Sequence, residues 1–181
     1  MRHTLPRLLA LSVLLTCVAP ALAQREYGFD NQKSSGQPYL SPQETVNRFK
    51  VAEGFEVTLA AAEPAMTNPI AFTFDERGRL WIVECFEYPK RTPRGKAPRD
   101  RIKILESTKQ DGVFDKVTIF AEGKDFPVPE ERKRAGLGAF DLASGIEVGY
   151  GGVFLGAPPY LWHIKDTTGD GKADSFEVLL K

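Results

Sequence analysis

Residues 102–120 read IKILESTKQDGVFDKVTIF, and residues 161–180 read LWHIKDTTGDGKADSFEVLL. Each stretch is an apolar strand-like run, an acidic loop with a central Asp-Gly pair, and a second apolar run. Strand, acidic loop and strand therefore occur twice. Further short runs lie at 70–74, 80–83, 146–148 and 153–155, divided by Gly- and Pro-containing turns with no helical period between them. Repeated hairpins of short strands predict an all-β chain built as a partial β-propeller, two to three blades of about 40 to 50 residues each. A β-sandwich is the structural alternative.

Working outward, Ile70, Phe72 and Phe74 alternate with small residues, Asp75-Glu76-Arg77-Gly78-Arg79 makes a turn, and Leu80-Trp81-Ile82-Val83 reads as a more fully buried strand. Upstream, Phe55, Val57 and Leu59 alternate with Glu56 and Thr58, which predicts another strand with one buried face. Ser41-Pro42-Gln43-Glu44 combines a Ser N-cap, a Pro at the first helical position and a Glu three residues after the cap. It predicts a short N-terminal helix from 42 to about 49, with Val46 and Phe49 facing the body. Residues 88–101, rich in Pro, Lys and Arg, read as a loop between strands: either a solvated loop or a basic surface for an anionic ligand.

Residues 1–23 read as a cleavable signal peptide. Arg2 and Arg7 precede an apolar run at 8–19 that is shorter than the roughly 20 residues of a membrane span, and Ala21-Leu22-Ala23 supplies the small residues of a cleavage site. The expected location is extracytoplasmic, periplasmic or secreted, with no membrane span after signal removal. Residues 24–40 form a polar linker, and 41–181 the N-terminal part of the propeller. The strand-like residues 176–181 lead to the expectation that C-terminal domains follow.

Loss of Arg2 and Arg7 leaves 22 basic and 24 acidic residues. That balance gives no electrostatic case for nucleic acid. Loss of Cys17 leaves Cys85 alone, so no intramolecular disulfide can form.

One loop has ligand-type spacing. Asp166, Thr168, Asp170 and Asp174 stand at positions 1, 3, 5 and 9, Gly171 at position 6 allows the sharp turn, and the Lys172 backbone carbonyl sits at position 7. These are the offsets of a calcium loop, here joining two strands rather than two helices. Glu177 occupies position 12. Thr168 lacks the carboxylate preferred at position 3, which weakens the site, and an Asp/Gly-rich turn without an ion is the competing reading. The earlier copy at 107–115 begins with Ser107 and carries Lys109 at position 3, so it reads as a plain hairpin turn.

Catalytic patterns are sparse. His163 sits among apolar strand neighbours and reads as a packed residue; Cys85 reads as a buried strand cysteine with no histidine near it in sequence. Gly149, Gly151 and Gly152 lie between strands, not before a helix, and read as turn residues. No C-x-x-C-H haem motif occurs.

Gly54-Phe55-Glu56-Val57 with Ala62-Glu63-Pro64, the run from Phe74 to Glu84, Ala143-Ser144-Gly145-Ile146-Glu147 with Gly151-Gly152-Val153, and the loop from Asp166 to Asp174 occur in that order. With them the chain resembles the N-terminal propeller region of the membrane-bound dehydrogenase family, also called PVC-type haem-binding domain proteins, similar in turn to glucose/sorbosone dehydrogenase propellers. The resemblance implies a six- or seven-bladed propeller and a sugar or alcohol oxidoreductase, with a quinone cofactor and a sugar-like small-molecule ligand in the full-length parent. No catalytic residue maps onto this chain, which is expected to be inactive alone. A non-catalytic propeller that binds carbohydrate or protein is the alternative.

Overall fold

The computed structural model describes residues 38–181. The signal peptide and nearly all of the linker lie outside the described residues. Ser41 opens α1 (Pro42–Asn47), with its hydroxyl accepting from the Glu44 amide at 3.2 Å while the Glu44 carboxylate accepts from the Ser41 amide at 2.8 Å. This is the expected capping box. The helix buries no side chain and ends at Arg48, so Phe49 is exposed rather than turned to the body. Residues 55–59 also depart from expectation: they form no strand, and Phe55 is exposed. Their alternation is real, but no neighbouring strand supplies the ladder that would hold them extended.

The regular structure is two antiparallel meanders. The first sheet joins β1 (Pro69–Phe74), β2 (Leu80–Glu84), β3 (Arg101–Glu106) and β4 (Lys116–Glu122) in chain order. The second joins β5 (Gly145–Gly149), β6 (Gly152–Ala157), β7 (Tyr160–Lys165) and β8 (Ser175–Leu180), again in chain order. A 3-10 turn (Gly123–Asp125) and α2 (Glu130–Arg134) lie between them. Alternation decides the faces. Trp81, Val83, Ile102, Ile104 and Phe120 point inward and share one core with Val153, Leu155, Trp162 and Ile164 of the second sheet. Edge-to-face contacts of Trp81 with Phe120 (4.8 Å) and of Phe126 with Trp162 (5.3 Å) fill it.

The outer face of the first sheet is crossed by a strap, residues 59–68. Ala61 and Met66 pack on Leu80, Ile82 and Leu105, and the Phe114 amide donates to the Ala60 carbonyl at 2.9 Å. The strap ends on a buried charge cluster. Glu84, fully buried, pairs with Arg101 and with Lys103 at 2.8 Å and accepts from the Thr67 amide at 2.6 Å, while Lys103 Nζ donates to Ala65 O at 2.8 Å. A carboxylate with no water around it is tolerable when cations and an amide replace that water.

Asp100 ties the two sheets. Its carboxylate, 1% exposed, accepts from the amides of Phe86 (2.7 Å), Glu87 (3.2 Å) and Ala143 (2.8 Å), and Cys85 Sγ lies 3.3 Å away. Ala143 leads into β5, so one buried side chain fixes where the second sheet begins.

The propeller reading is corrected here. The chain is mostly β, as the hairpin repeats indicate, but it forms two separate four-stranded sheets that do not close into a ring. The repeated hairpins encode each meander. They do not encode ring closure, which depends on contacts between sheets that a pattern within each sheet leaves unspecified.

Candidate metal loop and turn cleft

Three turns gather at one end of the sheets. In the β1–β2 turn, Asp75 is the organiser: its carboxylate accepts from the amides of Arg77 (3.0 Å) and Arg79 (2.9 Å), from Arg79 Nε (2.6 Å) and from Trp81 Nε1 (2.9 Å). Burial pushes the Asp75 carboxyl upward, yet the Trp81, Arg79 and Arg77 hydrogen bonds outweigh it and hold the group below the usual range. In the β5–β6 turn, Tyr150 (φ 52°) and Gly151 (φ 72°) are both left-handed, the geometry of a two-residue primed hairpin, and Tyr150 is 89% exposed. The third turn is the β7–β8 loop at 166–174.

Between them lies a cleft of about 520 Å³, lined by Arg77, Arg79, Trp81, Tyr150, Asp166 and Gly171 among others. Arg79 lies over the Trp81 ring at 5.6 Å and is already paired with Asp75 at 2.6 Å. Its charge is spent inside the wall. Glu76, Arg77, Tyr150 and the glycines of the two other turns complete the lining.

The β7–β8 loop holds the expected ligand residues on one turn. Asp166 accepts from the Gly169 amide (2.6 Å), the Gly171 amide (2.8 Å) and the Thr168 hydroxyl (3.2 Å). The Gly171 amide is the main cause of an Asp166 carboxyl held below its ordinary value. Asp170 accepts from the Lys172 amide at 2.9 Å, and Asp174 accepts from the Thr167 amide and hydroxyl and the Thr168 amide. Glu177 is not part of this group: it lies on β8 opposite His163. Among the described residues, no three His, Cys, Asp or Glu side chains converge on one metal position.

The same turn recurs in the first sheet, where Asp115 accepts from the Thr108 amide (2.9 Å) and hydroxyl (2.7 Å), and the Val113 amide donates to Asp111 at 3.0 Å. The repeat is thus a common hairpin device, as expected for 107–115, and the second copy differs by having Asp166 where the first has Ser107. The second copy also reaches across the sheets. The Ala173 amide donates to Phe120 O on β4 at 2.7 Å, and at Gly171 (φ 87°) an added Cβ would lie 3.6 Å from Thr118. The loop therefore closes the seam between sheets beside the cleft.

The other candidates are absorbed by packing. His163, largely buried, stacks on Phe154 at 4.5 Å, with Nε2 3.3 Å from Gly149 O. The buried Cys85 thiol is pushed upward by burial and by Asp100, which keeps it an unreactive thiol. Within 88–101, Arg99 pairs with Glu87 (2.9 Å), Arg91 with Asp141 (3.3 Å), and Arg94 donates to Ala135 O (3.2 Å), while the Arg91 and Arg99 side chains stay largely exposed. Asp75 and Asp100 were missed as organisers. An Asp at the head of a D-E-R-G turn signals side-chain capping, whereas nothing local marks Asp100, whose partners lie 13 to 43 residues away.

Residues 41–130 match the model of a family described as a domain of unknown function, DUF7133. No curated protein and no solved structure matches the chain. These findings overturn the resemblance to the membrane-bound dehydrogenase and glucose/sorbosone dehydrogenase propellers. The description of the matched family assigns no activity, and the open sheets lack the ring on which the oxidoreductase reading and its propeller-binding alternative both rest. Among the described residues, no helix is long and apolar enough to cross a membrane.

Proposed function

We propose that this chain is an extracytoplasmic binding module whose 166–174 loop takes a calcium ion at the wall of the turn cleft. The observation that supports it is the placement of Asp166, Asp170 and Asp174 on one turn that also bonds to β4 through Ala173. Calcium takes six to eight oxygens. Asp166, Asp170 and Asp174, the Thr168 hydroxyl and the Lys172 carbonyl provide a set of that kind, completed by water. The hydrogen bonds these carboxylates already accept do not exclude an ion, because a carboxylate has about four lone-pair sites. Coordination would tighten the seam and fix the shape of the cleft for a small-molecule ligand, with Arg79 already held by Asp75 in its wall.

Thermal unfolding with added calcium is the test. Calcium at about 100 times its dissociation constant stabilises the fold by roughly 2.7 kcal/mol when only the native state binds. Asp170→Ala is expected to abolish that shift. A melting temperature indifferent to millimolar calcium contradicts the proposal.

A further inference from the structure

The basic loop at 88–101 runs into β3 beside the end of β4, and a second pocket opens there, at the end of the first sheet away from the β1–β2 turn. Its volume is about 520 Å³, within the range of small-molecule sites, and it shares no lining residue with the turn cleft. Phe86, Ala97 and Pro98 form an apolar wall. Arg99, Arg101 and Lys124 bring cations to it, and Glu122 is the one carboxylate of the lining. The wall is held from behind: Asp100 accepts from the Phe86 amide at 2.7 Å, and the Gly123 amide donates to Asp100 O at 2.8 Å. Pro98 lies so close to Gly123 that a Cβ there would stand 2.4 Å from the Pro98 carbonyl oxygen, so the turn that carries Lys124 is seated directly on the loop.

Arg101 is anchored and yet unspent. The fully buried Glu84 accepts from its Nε, and its guanidinium lies over the Phe86 ring at 5.0 Å. That bond from Nε is the only hydrogen bond the guanidinium makes among the described residues, which leaves both terminal nitrogens as donors with no protein acceptor. Arg99 is spent in part, through Nε on Glu87 and one terminal nitrogen on Phe86 O at 3.1 Å. We propose that this pocket binds a small organic carboxylate, taken by the terminal nitrogens of Arg101 with its apolar body against Phe86, Ala97 and Pro98. A guanidinium fork matches carboxylate and phosphate alike. The apolar wall favours the carboxylate, because only a ligand with a hydrocarbon body removes that wall from water. Charges around the pocket nearly balance: Arg99 pairs with Glu87, Lys124 with Glu122, and Arg101 shares Glu84 with Lys103. Directed donors, not a bulk field, therefore carry the recognition, and the affinity is modest. The site does not depend on the calcium loop.

Amide chemical shifts of the isotope-labelled full chain, followed as benzoate is added, test this. The expected result is saturable shifts centred on Phe86, Arg99, Arg101 and Lys124, with a dissociation constant of about millimolar order. Benzamide, of the same shape without the charge, and inorganic phosphate, with the charge but no apolar body, are each expected to bind at least about tenfold more weakly. Arg101→Lys keeps a cation for Glu84 but loses the fork, and is expected to weaken benzoate at least about tenfold. Arg99→Gln, at a largely exposed side chain, serves if Arg101→Lys alters the far-ultraviolet circular dichroism. Lys109→Gln, at an exposed lysine of the β3–β4 turn, leaves binding unchanged. No shift at about 50 mM benzoate overturns the proposal, as do shifts confined to other residues. So does benzamide or phosphate binding as tightly as benzoate, or a benzoate affinity that both arginine substitutions leave untouched.

Discussion

Asp75 organises the first hairpin. It satisfies two turn amides, a guanidinium and the indole of a core tryptophan together. Asp75→Ala leaves Trp81 Nε1 and Arg79 without their acceptor, and the expected cost is about 3 kcal/mol in denaturant unfolding. Acid should act on the same point. A carboxyl held low in the folded state contributes stability that is complete above its unfolded value and lost as pH falls through the folded value. Asp75, depressed below 3.8, and Glu131, lowered from 4.5 to about 2 by its own backbone amide, Lys181 and Tyr160, place that loss between pH 4.5 and about pH 2. Asp75→Asn should flatten this acid limb; an unchanged limb would show that other carboxylates govern it.

Among the elements, those whose determinants are local were legible in the sequence. Ser41 and Glu44 fix a helix start by bonds within one turn, and alternation across 70–74, 102–105 and 161–164 marks strands that β1, β3 and β7 confirm. What local pattern could not show was partnership. Phe55, Val57 and Leu59 alternate as well as any strand yet pair with nothing, and Phe72 and Phe74 alternate toward an open face. The loop at 166–174 was legible as a turn with oxygen spacing. Its bond from Ala173 to Phe120 spans 53 residues and has no local signature. Asp100 belongs to the same class. Asp100→Ala should cost about 4 kcal/mol, because three amides lose their acceptor at the join between the sheets. Asp111→Ala, at an exposed carboxylate in the β3–β4 turn, is the control, and equal melting of the two variants would remove Asp100 from its role as the tie.

At the scale of the whole molecule, two meanders share one core, one buried carboxylate and one cross-sheet loop. The cleft sits where that loop meets the other two turns. Its shape therefore depends on how firmly the seam is held, which is why an ion in the loop would bear on binding and not merely on local order. Isothermal titration of the chain with calcium, alongside Asp170→Ala, tests the central claim most directly. A saturable one-to-one isotherm that is lost in the variant is the expected result. Heats no different from dilution, or an isotherm that survives the substitution, would contradict it and leave the loop as a self-satisfied turn.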